Sequence, residues 1–316
     1  WARVHPWGRN KRAASIPATA TEPTTPESRP AKASLPTGCR PLVALPDDHE
    51  AREYLIKRGF NPDLLWSRWR VSYCESSEKS RPRIFHRIVI PIHRLPNCLE
   101  AKDGKRGRPV LAGWQARMIR RATSNRDAKY LTMAGMKKAQ LLYNLPAVKR
   151  TSGPVVLVEG VTDVWRLGTN AVAMFGKELS HAQQNLLIQH VAGRPVVIYL
   201  DDDAQPLARK ACVALRAARA ACGDGSPVVF AHLPFGCRDV GQCEVRAAWR
   251  EVAKALGTSL RELKVPLPRQ HRSPLETRPR QKALGRLCGS RVCRCHQAYF
   301  ETPKPWCLRP LKTPLR

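Results

Sequence analysis

Four short apolar runs, spaced by helical stretches and three of them ending at a carboxylate or a glycine, limit this chain more than any other feature. Pro154-Val155-Val156-Leu157-Val158 ends in Glu159-Gly160, and Ala171-Val172-Ala173-Met174-Phe175 ends in Gly176. Pro195-Val196-Val197-Ile198-Tyr199-Leu200 runs into Asp201-Asp202-Asp203, and Pro227-Val228-Val229-Phe230-Ala231 is followed by Leu233-Pro234 and Gly236. The segments between them carry helical patterns: Val161–Leu167, Ser180–Val191 with Ser180 as a cap, and Leu207–Cys222. The last places Ala208, Ala211, Cys212, Leu215 and Ala218 on one face, with Gly223 as a stop. Continuous β-runs alternating with helices predict a parallel sheet covered on both sides.

Open parallel sheets bind ligands beyond the carboxyl ends of their strands. Glu159 and Asp201 each follow a buried strand, so both are expected in one crevice. If the chain stays extended, Asp203 points the same way as Asp201 and Asp202 the other. Asp163 lies one helical turn past Glu159, and Asp239 follows the fourth run. Carboxylates gathered this closely repel one another unless a divalent cation joins them. Mg²⁺ suits such a set, since it takes a few carboxylates together with phosphate oxygens. Taken singly, Asp163 and Asp239 also fit helix-capping or loop roles.

The charge is divided unevenly along the chain. The total is +30, but residues 1–150 carry 30 basic against 12 acidic side chains, residues 151–250 carry 10 against 9, and residues 251–316 carry 15 against 4. A near-neutral middle with basic flanks fits a carboxylate site beside a surface that grips a polyanion, nucleic acid first. Hydrophobic residues at 43% exclude wholesale disorder, and no apolar run approaches the roughly 18–20 residues that span a bilayer. No signal-peptide pattern opens the chain. The 11 cysteines are scattered and odd in number, which fits reduced thiols in a cytoplasm better than a disulfide framework.

Four segments are expected. Residues 1–46 hold eight prolines and read as a linker, and since the chain begins with Trp1 an upstream part is expected. Residues 47–150 form a basic mixed α+β subdomain, residues 151–250 the parallel-sheet domain, and residues 251–316 a helix and then a basic, Pro-rich disordered tail. In the basic subdomain, 47–58 is helical, and Asn61 caps a second helix with Pro62 at its first position. Arg87–Ile92 and Val110–Ile119 read as a hairpin across a Gly/Lys/Arg loop at 102–108, and Lys129–Leu131 and Leu141–Leu145 close the region. Arg87, Arg117, Lys129 and Lys138 lie on or beside strands, interleaved with Trp114, Tyr130 and Tyr143. Cations with aromatic faces are how single strands are held, yet ordinary half-buried sheets show the same alternation, and pattern alone favours that plainer reading.

Two competing motifs are missing. No phosphate-binding loop of the G-x-x-x-x-G-K type and no dinucleotide fingerprint occurs, and His181 and His232 have no nucleophile motif beside them. Cys288, Cys293, Cys295, His296 and Cys307 lack a C-x-x-C pair, so no zinc site is expected of them.

Glu159-Gly160 after one strand and Asp201-x-Asp203 after a later one resemble the Toprim signature. Over about residues 50–245 the order of motifs resembles the DnaG-type primase catalytic core. It comprises Arg87-Ile88-x-x-Pro91-Ile92, Gly113-x-x-x-Arg117, Lys129-Tyr130-Leu131, Lys138 before Leu142-Tyr143-x-Leu145, Val158–Val164 with Asp163, Phe175-Gly176 with Leu179-Ser180, and Leu233-Pro234-x-Gly236-x-x-Asp239. The resemblance implies a Mg²⁺- or Mn²⁺-dependent primase of phage, plasmid or mobile-element type, acting in the cytoplasm of a bacterial or phage-infected cell. Its partners would be single-stranded DNA, ribonucleotides and a replicative helicase, and no membrane.

It implies that Glu159 is a general acid/base or metal-adjacent carboxylate. Asp201 and Asp203 would hold the metal, with Asp163 and Asp239 completing the cluster. Arg87, Arg117, Lys129, Tyr130 and Lys138 would contact template or nucleotide. The glycine that usually follows the aspartate pair is replaced around Ala204-Gln205-Pro206, and the family's upstream zinc ribbon has no counterpart beyond Cys39. Zinc is therefore expected only with a ribbon upstream. The alternatives are a Toprim metal-dependent nuclease and a non-catalytic protein that binds single strands. The chain is too short for the strand-passage gates of a topoisomerase.

Overall fold

A computed structural model describes residues 33–97, 108–120, 127–263, 265 and 267. Most of the Pro-rich start, most of the 102–108 loop and the basic tail with Cys288, Cys293, Cys295, His296 and Cys307 lie outside the described residues.

Two sheets make up the described part. The first is antiparallel, with strands in the order β1 (Cys39–Pro41), β2 (Ser72–Ser77), β3 (Ile84–Arg94), β4 (Val110–Met118) and β5 (Tyr130–Thr132). β1 forms from residues that the composition assigns to a linker: Cys39 pairs with Cys74 and Pro41 with Ser72, which covers the edge of β2. Helices α1 (Glu50–Lys57) and α2 (Pro62–Trp69) lie between β1 and β2. Asn61 caps α2 as its sequence predicts, its side chain accepting from the amides of Asp63 and Leu64. The hairpin register sets Ile88 against Arg117, Ile90 against Gln115 and Ile92 against Gly113. The three isoleucines are fully buried, each worth roughly 1.5–3 kcal/mol of transfer free energy.

The second sheet is parallel, ordered β7 (Ala171–Ala173), β6 (Val155–Val158), β8 (Val196–Ile198), β9 (Val228–Phe230). Val156 and Val158 face one layer while Val155 and Leu157 face the other, the period of two that a doubly covered strand requires. On one side lie α4 (Val161–Leu167), α7 (Val245–Ala255) and Ile88, Ile90 and Ile92 of β3, in a continuous core. On the other lie α3 (Leu145–Val148), α5 (His181–His190) and α6 (Gln205–Ala221). Ser180 caps α5 in a capping box with Gln183. On α6, Ala218 sits at the margin of the apolar face and Arg219 is buried instead, pairing with Asp224 and donating to the Arg194 carbonyl at 2.9 Å.

Two local expectations change. Leu141–Leu145 is no strand: Tyr143 makes a single antiparallel bridge to Ala173, and Asn144 turns the chain at φ 67° into α3. That bridge continues the parallel sheet past β7 and joins the basic half to it. α7 begins at Val245, ahead of the 251 boundary, because Val245, Ala248, Trp249, Val252 and Ala253 form one buried stripe at helical spacing. Among the described residues no helix is long and apolar enough to cross a membrane.

Candidate functional site

The strand order creates the site. From β6 the chain crosses to β7 on one side, and from β8 it crosses to β9 on the other, so the β6/β8 boundary is a topological switch point. Glu159 follows β6 and Asp201 follows β8, and the Asp201 amide donates to Glu159 Oε1 at 3.2 Å. Above these strand ends lies a cleft of about 300 Å³. Its carboxylate wall is Glu159, Asp163, Asp201 and Asp239. Its cationic wall, brought by the basic half, is Arg58, Arg117, Lys129 and Lys138, with Tyr130 between them.

The carboxylates are crowded and short of partners. Burial, and then the charges of Glu159, Asp163, Asp239 and Asp203, push the Asp201 carboxyl up to about 7. Burial does the same for Asp163, to about 7, although the Gly160 amide donates to it at 2.9 Å. Glu159 is also raised, chiefly by burial, while the Asp201 amide and Lys177 pull the other way. Asp201 Oδ1 and Asp239 Oδ1 are buried with no hydrogen-bond partner among the described residues. Buried acceptors are ordinarily satisfied, so two orphans in one cleft mark a place for a ligand or a cation. At Gly241 a Cβ would stand 2.9 Å from Asp163 Oδ1 and 3.2 Å from Asp239 Oδ1, so only glycine lets these carboxylates approach.

Among the described residues no three acidic, histidine or cysteine side chains form a ready-made metal cage. The donor set still fits Mg²⁺, which is commonly held by one or two carboxylates, waters and substrate phosphates.

Asp203 departs from its expected direction. The chain does not stay extended after Asp201; Asp202–Ala204 is a 3₁₀ turn that leads into α6, with Pro206 in its first turn. The Asp203 side chain is 70% exposed and ion-paired with Lys177 at the rim of the cleft. Its charge still acts on both Glu159 and Asp201.

On the opposite wall, Arg117 is held by two tyrosines. Its Nε donates to Tyr54 Oη at 2.7 Å and its Nη1 to Tyr130 Oη, and the guanidinium carbon lies 5.0 Å from the Tyr130 ring centroid. Burial opposes the charge, but the two tyrosines hold the Arg117 pKa above its ordinary value. Arg58 Nε is a buried donor with no partner among the described residues, the cationic counterpart of the orphaned acceptors.

Arg87 does not line the cleft. It is buried on the other face of the hairpin, and its Nη1 donates to the carbonyls of Ala128 at 2.8 Å and Ala116 at 3.3 Å. Its position ties β3 to β4 and to the segment that leads into β5.

Arg58, Tyr54, Gln115, Thr132 and Lys177 have no motif role in the sequence, and Phe175 enters there only through the Phe175-Gly176 turn. A cation just before a helix-ending glycine was the one signal for Arg58. What delivers it is Arg166 on α4, which donates to the carbonyls of Arg58 at 2.7 Å and Gly241 at 2.7 Å. One guanidinium thereby fixes a cationic and an acidic loop of the same cleft.

No family model and no curated protein matches the chain. Among solved structures it is similar to the Aquifex aeolicus primase (zinc-binding and RNA polymerase domains), with TM-score 0.50 and 22% identity over 67% of this chain and 56% of that one. A DnaG primase catalytic domain bound to single-stranded DNA is similar at TM-score 0.49 and 21% identity, over 69% and 74% of the two chains. The E. coli primase catalytic core gives TM-score 0.46 and 20% identity, over 63% and 68%. The chain thus spans little more than half of the Aquifex aeolicus structure, and what it shares with it is the fold, that of a DnaG-type primase catalytic core.

Proposed function

We propose that this chain is a primase-like nucleotidyltransferase that synthesises short RNA primers on single-stranded DNA. The observation that carries the reading is the single cleft in which four carboxylates, two of them at strand ends, face four cations, with polar atoms on both walls that have no partner among the described residues. Joining two nucleotides needs both walls. The growing 3′-hydroxyl attacks the α-phosphate of a ribonucleoside triphosphate, a phosphodiester bond forms and pyrophosphate leaves.

Asp201, Asp239 and Glu159 would hold Mg²⁺, with Asp163 beneath them and Asp203 at the rim. Bound there, Mg²⁺ lowers the pKa of the attacking hydroxyl and offsets charge on the attacked phosphate. Glu159, which accepts from the Asp201 amide beside that ion, is placed to take the hydroxyl proton. Arg117 is kept rigid by Tyr54 and Tyr130, so it meets developing phosphate charge with little reorganisation. Lys129, Lys138 and Arg58 would bind the remaining phosphates. Phe175 offers a ring on the same cleft for a base to lie against.

The test is incorporation of labelled ribonucleotides on single-stranded DNA with Mg²⁺ or Mn²⁺, run beside Asp201→Ala. Short template-dependent products from the wild type and none from the variant support the reading. Metal-dependent shortening of the template without synthesis replaces it with a nuclease. Binding without either reaction replaces it with an accessory protein.

A further inference from the structure

A second cavity of about 220 Å³ lies apart from the carboxylate cleft, between the end of α2, the middle of β3 and α3. Its lining includes Arg68, Arg70, Arg150 and His93, and among the described residues it contains no aspartate or glutamate. Arg68 and Arg70 are exposed and make no ion pair among the described residues. The rest of the lining is largely apolar, including Trp69, Pro91, Pro109 and Pro146.

The floor is rigid. Trp69 Nε1 donates to Asn144 Oδ1 at 3.0 Å, and Asn144 Nδ2 donates to the Ala171 carbonyl at 2.9 Å, both buried. Two non-glycine residues of the lining hold left-handed backbone, Arg70 at φ 55° and Asn144 at φ 67°. Such conformations cost energy and persist where the surroundings fix them.

Charge and shape together select the ligand. Among the described residues a metal ion finds no anionic donor here, and a neutral molecule gains little from a row of guanidiniums. An inorganic phosphate would leave the proline and tryptophan faces unused. A nucleotide uses both, its phosphate on the arginines and its sugar and base on the apolar floor. The volume is below the usual range for a whole small-molecule ligand, which suits one unit of a polymer. Only a thin wall separates this cavity from the first. Tyr143 lines the second and Phe175 the first, and their ring centroids are 6.5 Å apart.

We propose that this cavity seats one nucleotide of a single strand whose neighbouring nucleotides lie at the carboxylate cleft. The inference rests on the nucleic-acid reading given under Proposed function, and deepens it.

Binding of a fluorescent oligothymidylate of about 20 nucleotides, followed by anisotropy over a salt series, tests it. Arg68→Ala with Arg70→Ala is compared with Arg246→Ala plus Arg250→Ala, a control of equal charge on exposed positions of α7 that line neither cavity. Thermal melting confirms that each variant folds. The expected result is an affinity loss of about tenfold or more for the pocket pair, with the salt slope lowered by about 1.4, as for two lost phosphate contacts. The control should change affinity about threefold or less. Equal losses in the two pairs, or no loss in the pocket pair, overturn the inference and leave the proposed function standing. A free mononucleotide that binds as tightly as the oligonucleotide overturns the strand assignment. Failure of the wild type to bind the oligonucleotide at low salt overturns both.

Discussion

Glu159 accepts a hydrogen bond from the backbone amide of Asp201 across the β6/β8 boundary, at 3.2 Å. The contact locks together the two strand ends that carry the acidic wall. It also leaves Asp201 Oδ1 buried and unpartnered beside its neighbours' charges, so the site stores repulsion that a cation would relieve.

Asp201→Asn should therefore separate chemistry from stability. Ribonucleotide incorporation is expected to fall by at least about 10³-fold, on the scale of lost electrostatic stabilisation at an active site. The metal-free variant should melt a few degrees higher than the wild type, since one buried charge is gone. Oligonucleotide affinity should hold or rise. A variant that melts lower, with activity intact, contradicts the assignment.

The same repulsion fixes a pH dependence. Asp163 and Asp201 have folded-state values near 7, against 3.8 for an ordinary aspartate, so between those pH values the folded chain holds more protons than the unfolded one. Their contribution to stability is fully present below about pH 4 and is lost as pH rises through about 7. Thermal melts without metal should decline over that window. Adding millimolar Mg²⁺ should restore stability at pH 8 and do little at pH 5. Asp163→Asn should flatten the metal-free profile, and an unchanged slope in that variant counts against the buried carboxyls as its source.

Arg87 and Arg117 should behave oppositely although both are buried cations of one hairpin. Arg87→Ala strips donors from the Ala128 and Ala116 carbonyls and should cost roughly 1–3 kcal/mol of stability, read by urea unfolding. Its affinity for single-stranded DNA, corrected for folded fraction, should be unchanged. Arg117→Lys should stay folded yet lose about tenfold or more in nucleotide incorporation, because an ammonium cannot bridge Tyr54 and Tyr130 as the planar fork does.

Gly241→Ala tests the acidic loop without touching a charge. Its methyl group would enter the space 2.9 Å from Asp163 Oδ1, and the loop held by Arg166 would have to move. A stability loss of about 1–3 kcal/mol is expected, as for other overpacked sites, together with a loss of activity larger than the stability change explains. Normal activity in a folded Gly241→Ala protein would remove this loop from the site.

Much of this arrangement is legible in the chain itself, because burial periodicity and end-capping are local. The apolar runs at 154–158 and 195–200 need no partner to announce doubly covered strands. Asn61 and Ser180 mark their helices by the amides they cap, and Glu159 and Asp201 stand where two of the apolar runs stop. Decisions that depend on distant pairings are not local. The order β7-β6-β8-β9 puts Glu159 beside Asp201, and no pattern within either strand encodes it. Whether Arg87 or Arg117 meets the cleft depends on Ile88 pairing with Arg117, since a slip of one residue exchanges the faces of the hairpin. Asp203 turns outward because the chain must coil into α6 directly after β8. Arg58 reaches the cleft because Arg166, 108 residues further on, grips its carbonyl. Local patterns set the elements and the kinds of charge they carry; which charges face each other follows from sheet order and register, and those rest on pairings between residues far apart in the chain.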